Sequence, residues 1–408
     1  MAPGGGLLII LYVAFVSLGL PDGVLGVAWP SVRRSFGLPL SQLGVLLATA
    51  TAGYLASCVL SGPIVARLGV GRVLLGSTAL MTLSCLAYAL APAWPVMVGS
   101  GALAGLGAGA VDAGINAFAA AYCSPRRTSV LHACYGVGAM LGPVLMSAML
   151  AGGQSWRWGY GVLAVALGAL SATFAVTLPR WPRAGDAPAG GTTRMAPAAG
   201  LGDALATPAV WMHVALFFLY TGLEVTAGQW TYSLFTEARG ATPAVAGGWI
   251  SAYWGSLTVG RLLAAALTRR WPAESLLRLG LLAAPPAALS LWLDGGGILG
   301  PLGLAALGLA FAPVYPLLVS LTPRRLGAGL APHAMGLQVA AAYAGTAAVP
   351  GLAGLLAGQH GLEVVGPFLL AGTAGLLLLA EGVTRLEWPA RLPAAGPGLP
   401  AGDGQRSG

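Results

Sequence analysis

Apolar runs of about 20 residues recur along the whole chain, separated by short polar or Gly/Pro-rich breaks. They fall near 7–31, 41–66, 72–91, 95–122, 128–151, 158–179, 209–236, 244–268, 275–293, 297–321, 328–357 and 363–385. A helix rises about 1.5 Å per residue, so each run is long enough to cross a hydrocarbon core of roughly 30 Å. The pattern predicts an all-α membrane protein with twelve transmembrane helices. The breaks carry turn chemistry: FGLP after the first run, LGVG after the second, SPRR after the fourth and TPRR after the tenth. The first run has no basic leader and is too long for a cleaved signal peptide. It is expected to remain as the first span.

Residues 181–207 are the longest polar, Pro/Gly-rich stretch before the tail. They divide the chain into an N-terminal six-helix bundle over 1–180, a central loop over 181–207 and a C-terminal bundle over 208–388. The tail, 389–408, is low in complexity and is expected to be disordered. The halves echo each other. GPIVARLGVGR (62–72) follows the second run and AAALTRRW (264–271) follows the eighth. Internal repeats of this kind build secondary transporters.

Composition agrees with the hydropathy pattern. The chain is 57% hydrophobic and 8% charged, where soluble domains carry roughly 25% charged residues. The net charge of +8 raises nucleic acid as a partner, but the arginines sit singly or in pairs between apolar runs. Lysine is absent. Arg67, Arg72, Arg126, Arg127, Arg180, Arg183, Arg194, Arg269, Arg270, Arg278, Arg324, Arg325, Arg385, Arg391 and Arg406 lie on even-to-odd linkers or the C-terminal region. Only Arg33, Arg34, Arg157 and Arg239 lie on the other loops. The positive-inside bias therefore predicts that both termini are cytoplasmic, in a multi-pass protein of the inner membrane. Four cysteines without CxxC spacing indicate neither a zinc site nor a disulfide framework. No P-loop, HExxH or GxSxG motif occurs, so no enzyme and no cofactor is indicated.

Of the twelve acidic residues, nine lie in loops, at helix ends or in the tail, and three do not: Asp22, Asp112 and Glu224. An ionisable side chain at the bilayer centre costs about 2.5–3.5 kcal/mol on insertion scales and by default faces a cavity. Asn116 lies one turn after Asp112 and shares its helix face. Tyr220 and Gly228 flank Glu224 at the same spacing. Gly19, Pro21 and Gly26 surround Asp22, which loosens the helix beside it. Loss of hydration favours the neutral acid over the carboxylate. A carboxyl exposed alternately to two compartments can therefore load and unload a proton. One charge crossing about 100 mV is worth roughly 2.3 kcal/mol, enough to sustain a gradient of about 40-fold. The bland alternative is a helix-to-helix tie with arginine. Arg261, the one arginine more than a turn from either end of its run, either pairs with a carboxylate or snorkels to the cytoplasmic face.

Two sets of residues carry a family resemblance. GPIVARLGVGR resembles the loop 2–3 signature of the major facilitator superfamily, G-x-x-x-D-R-x-G, at Gly62, Arg67 and Gly69. Ala66 stands where that family has aspartate. Thr268 replaces the aspartate in the second copy, next to Arg269. The resemblance implies the major facilitator fold, two pseudo-symmetric six-helix bundles, with Arg72 and Arg269 on the loops that lock one conformation. Loss of both aspartates weakens that latch. LGLPDGVLGVAWP (18–30), GAGAVDAGINAF (107–118), LHACYGVGAMLGP (131–143), YTGLEVTAGQW (220–230) and AYWGSLTVGR (252–261) resemble the fucose–proton symporter branch. That likeness implies proton-coupled uptake of a sugar. Gly138-x-x-x-Gly142-Pro143 also resembles half of a drug-antiporter signature, without its trailing Gly-Gly.

Sugar sites combine a few placed polar groups with aromatic faces. Candidates are Asn116, Gln229, Trp230, Tyr253, Trp254, Gln338 and Tyr343. Trp230 reads equally as an interfacial belt residue. Gln338, an amide in an apolar run, is expected to face a cavity. His132 either lines the cavity, as its match in the symporter branch does, or caps a helix end. Gly136, Gly138 and Gly142 have the small-xxx-small spacing of close helix crossings. The expected partners are a small polar solute, protons or sodium, and lipid, in a monomer. The competing functions are proton-driven export of drugs or metabolites and a non-transporting receptor or scaffold.

Overall fold

The computed structural model describes residues 5–123, 125–182 and 200–385. The tail, 389–408, lies outside them, as does most of the central loop. The N-terminal half contains α1 (Gly5–Phe36), α2 (Gln42–Leu68), α3 (Val70–Leu90), α4 (Trp94–Tyr122), α5 (Pro125–Ala151) and α6 (Trp156–Thr177). A short helix, α7 (Leu201–Ala206), precedes the second half. That half contains α8 (Pro208–Ser233), α9 (Pro243–Leu267), α10 (Ala273–Leu293), α11 (Leu299–Phe311), α12 (Val314–His360) and α13 (Val365–Arg385). No strand occurs among the described residues.

Eleven described segments are long and apolar enough to cross a membrane. The twelfth span is α9, which falls short only in hydropathy. Its serines find carbonyls inside the protein: Ser256 donates to that of Ala305 at 2.7 Å and Ser251 to that of Gly247 at 2.9 Å.

The tenth and eleventh spans depart from the sequence expectation. TPRR was expected to be a linker, but Thr322, Pro323, Arg324 and Arg325 are helical within α12. The turn falls at Gly327, with φ 80° and ψ 155°, a conformation that costs glycine little and other residues much. Pro323 has a φ compatible with helix. The tenth span is instead interrupted earlier, where α11 gives way to α12 around Ala312–Pro313.

The two halves pack by the same rule. In the first, α1 packs on α5 and α6, α2 on α4, and α3 on α4 and α6. In the second, α8 packs on α12 and α13, α9 on α11, and α10 on α11 and α13. Each pair corresponds once the second set is renumbered by span. Across the halves α2 meets α12, α5 meets α9 and α1 meets α8, which is the interface a two-fold repeat generates.

Glycine sets these approaches. A Cβ on Gly138 would lie 2.0 Å from the Val16 carbonyl oxygen, and one on Gly105 would lie 1.8 Å from that of Ala50. The glycine-rich run before Asp112 is thus filled by α2 and α3 rather than by a ligand. Small residues substitute here for a hydrophobic drive that lipid does not supply.

One face of the interface is shut. Gly26 abuts the Gln229 backbone, Gly44 abuts Gly351, and Gly247 abuts Ser147. Arg33 on α1 donates to Glu237, just beyond α8, at 2.7 Å. Asp22, midway along α1, and His132, two turns into α5, are nonetheless exposed. The cleft reaches them from the opposite face.

Candidate functional site: carboxylates and phenols between the bundles

Asp22 sits directly after Pro21, whose missing N–H frees the Ser17 carbonyl. Its carboxylate accepts from the Tyr135 hydroxyl at 2.5 Å. Its backbone carbonyl accepts from Gln229 Nε2 of the other bundle at 3.0 Å.

Asp112 accepts twice, from Tyr54 at 2.6 Å and from Asn116 Nδ2 at 2.8 Å. The Tyr343 hydroxyl donates in turn to that of Tyr54. Their rings stack with centroids 3.8 Å apart. His132 lies edge-on to Phe15 and within Coulombic range of Asp112.

Glu224 accepts from the Tyr220 hydroxyl. Arg261 Nη2 approaches both its oxygens, at 3.4 and 3.5 Å. Arg261 therefore takes the paired alternative rather than the snorkelling one. Tyr253 donates to the Glu224 backbone carbonyl at 2.8 Å. Asp22 and Glu224 lie within Coulombic range of each other, and Tyr135 lies within range of both Glu224 and Arg261. Asp22, Glu224, Arg261 and Tyr135 thus form one electrostatic group across the bundle interface. Tyr315, beside Tyr220, is within range of Asp112 as well as of Arg261 and Glu224.

Several expected ligand residues sit elsewhere. Trp230 is neither at an interface nor in the cleft. It is fully buried, its indole donates to the Pro350 carbonyl at 2.8 Å, and its ring fills the space left by Gly354. Gln338 does not face the cleft either. It is buried, and its carbonyl accepts from Thr322 at 3.2 Å across the Gly327 turn. An indole in an apolar span can be satisfied by a neighbouring helix as well as by a cavity, whereas the Gln338 amide is only half satisfied, its Nε2 being buried without a partner. Tyr253 is buried and supports the Glu224 backbone rather than presenting its ring to the cleft. Trp254 is buried against Gly228, with its indole nitrogen unpartnered. Gln229 is buried at the α1–α8 contact, with its carbonyl oxygen unpartnered. Of the loop residues, Gly62 lies within α2 and Gly69 makes the α2–α3 turn at φ 77°. Arg67, Arg72 and Arg269 are exposed at that end of the molecule.

Tyr54, Tyr135 and Tyr315 were not picked out from sequence. The available signal was a tyrosine in the middle of an apolar run, since tyrosine prefers membrane interfaces.

Residues 11–350 match the Major Facilitator Superfamily, and the chain belongs to that family. Membership places it among membrane transporters rather than enzymes. Among solved structures it resembles a nucleoside transporter, with TM-score 0.76 and 13% identity, covering 92% of this chain and 99% of that one. It also resembles a D-xylose-proton symporter (TM-score 0.71, 14% identity, 91% and 96% covered). The Escherichia coli fucose:proton symporter is a more distant match in shape (TM-score 0.60, 16% identity, 92% and 98% covered). At these identities the likeness shows the fold alone.

Among curated proteins, it is 22% identical to Bypass of stop codon protein 6 of Saccharomyces cerevisiae over 287 residues, 64% of this chain and 56% of that protein. It is 27% identical to the 3-(3-hydroxy-phenyl)propionate transporter of Escherichia coli over 140 residues, 34% of this chain and 35% of that protein. The chain thus spans about half or less of the length of these relatives.

Proposed function

We propose that this protein is a proton-coupled transporter of a small polar solute, working by alternating access. One observation carries the reading. Asp22 and Asp112 face the bundle interface with phenol and amide partners and no arginine, while Glu224 alone is matched by Arg261. A carboxylate held by neutral donors can change its charge without leaving a cation unpaired. The cleft would then pass protons and solute together as the bundles rock.

A sugar or nucleoside suits the hydroxyl, amide and carboxylate groups around the cleft. The xylose, fucose and nucleoside transporters of similar fold support that class. Protons are preferred over sodium because the exposed acid, Asp22, is bonded to a phenol rather than grouped with oxygen ligands. The arginine bias supports cytoplasmic termini in an inner membrane, with the bundles at 1–180 and 208–388 of a monomer moving about the 181–207 link. On that orientation the shut face is the outer one.

Proton-driven export is the second reading. The excess of carboxylates over arginine in the cleft favours a cationic passenger for it.

The test is a thermal-shift screen of purified protein against sugars, nucleosides, polyols and cationic drugs, followed by flux in proteoliposomes. Symport predicts that the stabilising solute alkalinises the medium as it enters. Solute driven outward by an inward proton gradient would establish export instead. Flux indifferent to the gradient would refute both.

A further inference from the structure

The contact between α2 and α12 is a seam with a defined inner end. From the shut face it runs through Gly44 against Gly351, then Thr51 and Thr346 with hydroxyls 3.4 Å apart, then Tyr54 against Tyr343. Tyr54 and Tyr343 belong to different bundles, so their hydrogen bond must break whenever the seam opens. Tyr54 also donates to Asp112. The three groups therefore form a directed chain: Tyr343 donates to Tyr54, and Tyr54 donates to the carboxylate. We propose that this phenol pair is a clamp read by Asp112, held shut while Asp112 is ionised and released when Asp112 takes a proton.

The chemistry follows from donor and acceptor counting. Ionised Asp112 offers only acceptors, and both its oxygens are used, by Tyr54 and by Asn116. That fixes the direction of every hydroxyl behind it. A hydrogen bond to a charged acceptor is roughly twice as strong as a neutral one, and its pull polarises the next bond in the chain. A proton arriving from cleft water onto the carboxyl oxygen turns that oxygen into a donor toward Tyr54. Tyr54 can then no longer donate to it, and both phenols must reorient. The bond that crosses between bundles loses its charge-assisted support.

The groups facing Asp112 are Tyr54 and Cys58 from α2, His132 from α5, and Tyr315 and Tyr343 from α12. None is a permanent cation; His132 is the one other group among them that can gain a positive charge, so Asp112 and His132 together set the local charge. Tyr54 and Tyr343 are positioning residues here; they act through Asp112 and need not touch the solute.

This inference rests on the proton-coupling reading of Asp112, and the experiment separates the two. Spin labels at Pro39→Cys and His360→Cys, on the shut face of opposite bundles, report the seam in lipid nanodiscs. The background replaces Cys58, Cys85, Cys123 and Cys134 with alanine. Lowering the pH should shift the labels toward the longer distance, changing the closed-to-open ratio by about fivefold or more. Asp112→Asn should show the low-pH distribution at every pH. Tyr54→Phe and Tyr343→Phe keep the ring stack and remove only the hydroxyl. Each should reduce the pH response to less than about twofold, with an unchanged melting temperature as the folding control. A Tyr343→Phe protein that retains the full pH response overturns the clamp. If Asp112→Asn also abolishes gradient-driven flux, the coupling reading survives that loss. If Asp112→Asn changes neither distance nor flux, both fall together.

Discussion

The two bundles share a packing plan and differ in their charges. In the N-terminal bundle Asp22 and Asp112 are held by Tyr135, Tyr54 and Asn116, all neutral. In the C-terminal bundle Glu224 is held by Tyr220 and by Arg261. A carboxylate with neutral donors can gain a proton without stranding a cation. A carboxylate facing an arginine leaves that cation unpaired if it is removed or neutralised. The repeat therefore carries two kinds of acid: in the first bundle carboxylates with neutral partners, and in the second a carboxylate paired with an arginine.

Substitutions can break or sharpen that contrast. The largest effect is expected at Asp112. Asp112→Asn should reduce solute accumulation at 100 mV from about 40-fold to none, while equilibrative exchange persists. Counterflow against gradient-driven uptake in proteoliposomes measures the difference. Next is Arg261→Gln, which leaves Glu224 uncompensated. Both side chains are partly exposed, 31% and 13%, so the loss should be about 1–2 kcal/mol rather than the 3–5 typical of a fully buried pair. The double variant Glu224→Gln/Arg261→Gln should recover at least half of it in thermal melts; no recovery would mean the pair is not coupled.

Gly44→Leu tests the seam rather than the charges. Even a Cβ there would lie 2.9 Å from Gly351 Cα, so the side chain should prop the shut face open. Labelling of a cysteine placed at Thr51 should then rise several-fold, on the order expected for 1–3 kcal/mol. The smallest effect is expected at Arg33→Gln. Its bond to Glu237 is partly exposed, so it should contribute at most about 1 kcal/mol to closure. The same labelling assay should shift by no more than about fivefold, and less at high salt.

Much of this architecture is legible in the order of residues. Hydropathy located the spans, including α9, whose polar residues hold it just short of the apolar threshold the others pass. It failed at the tenth span because Pro and paired Arg look like a linker, whereas the backbone turn needs a positive φ and takes Gly327. Within the site, Asp22, Asp112 and Glu224 stood out because a charge in an apolar run is costly wherever it points. Trp230 and Gln338 sit away from the acids: the indole takes a carbonyl on the next helix, and the amide carbonyl takes a threonine hydroxyl while its Nε2 stays unpartnered. Tyr54, Tyr135 and Tyr315 went unnoticed because a phenol in an apolar run looks ordinary until its partner is known.

From its sequence alone this chain is a twelve-span, two-fold-repeated membrane protein with three acids placed along its spans. Those properties are sums over neighbouring residues, and a linear string carries them. The tertiary structure decided which acid is neutralised and which phenols bridge the bundles. These facts depend on distances between residues far apart in the chain, such as Glu224 and Arg261 or Tyr54 and Tyr343. Such distances are set by how the glycine-lined helices pack, and no local pattern encodes them.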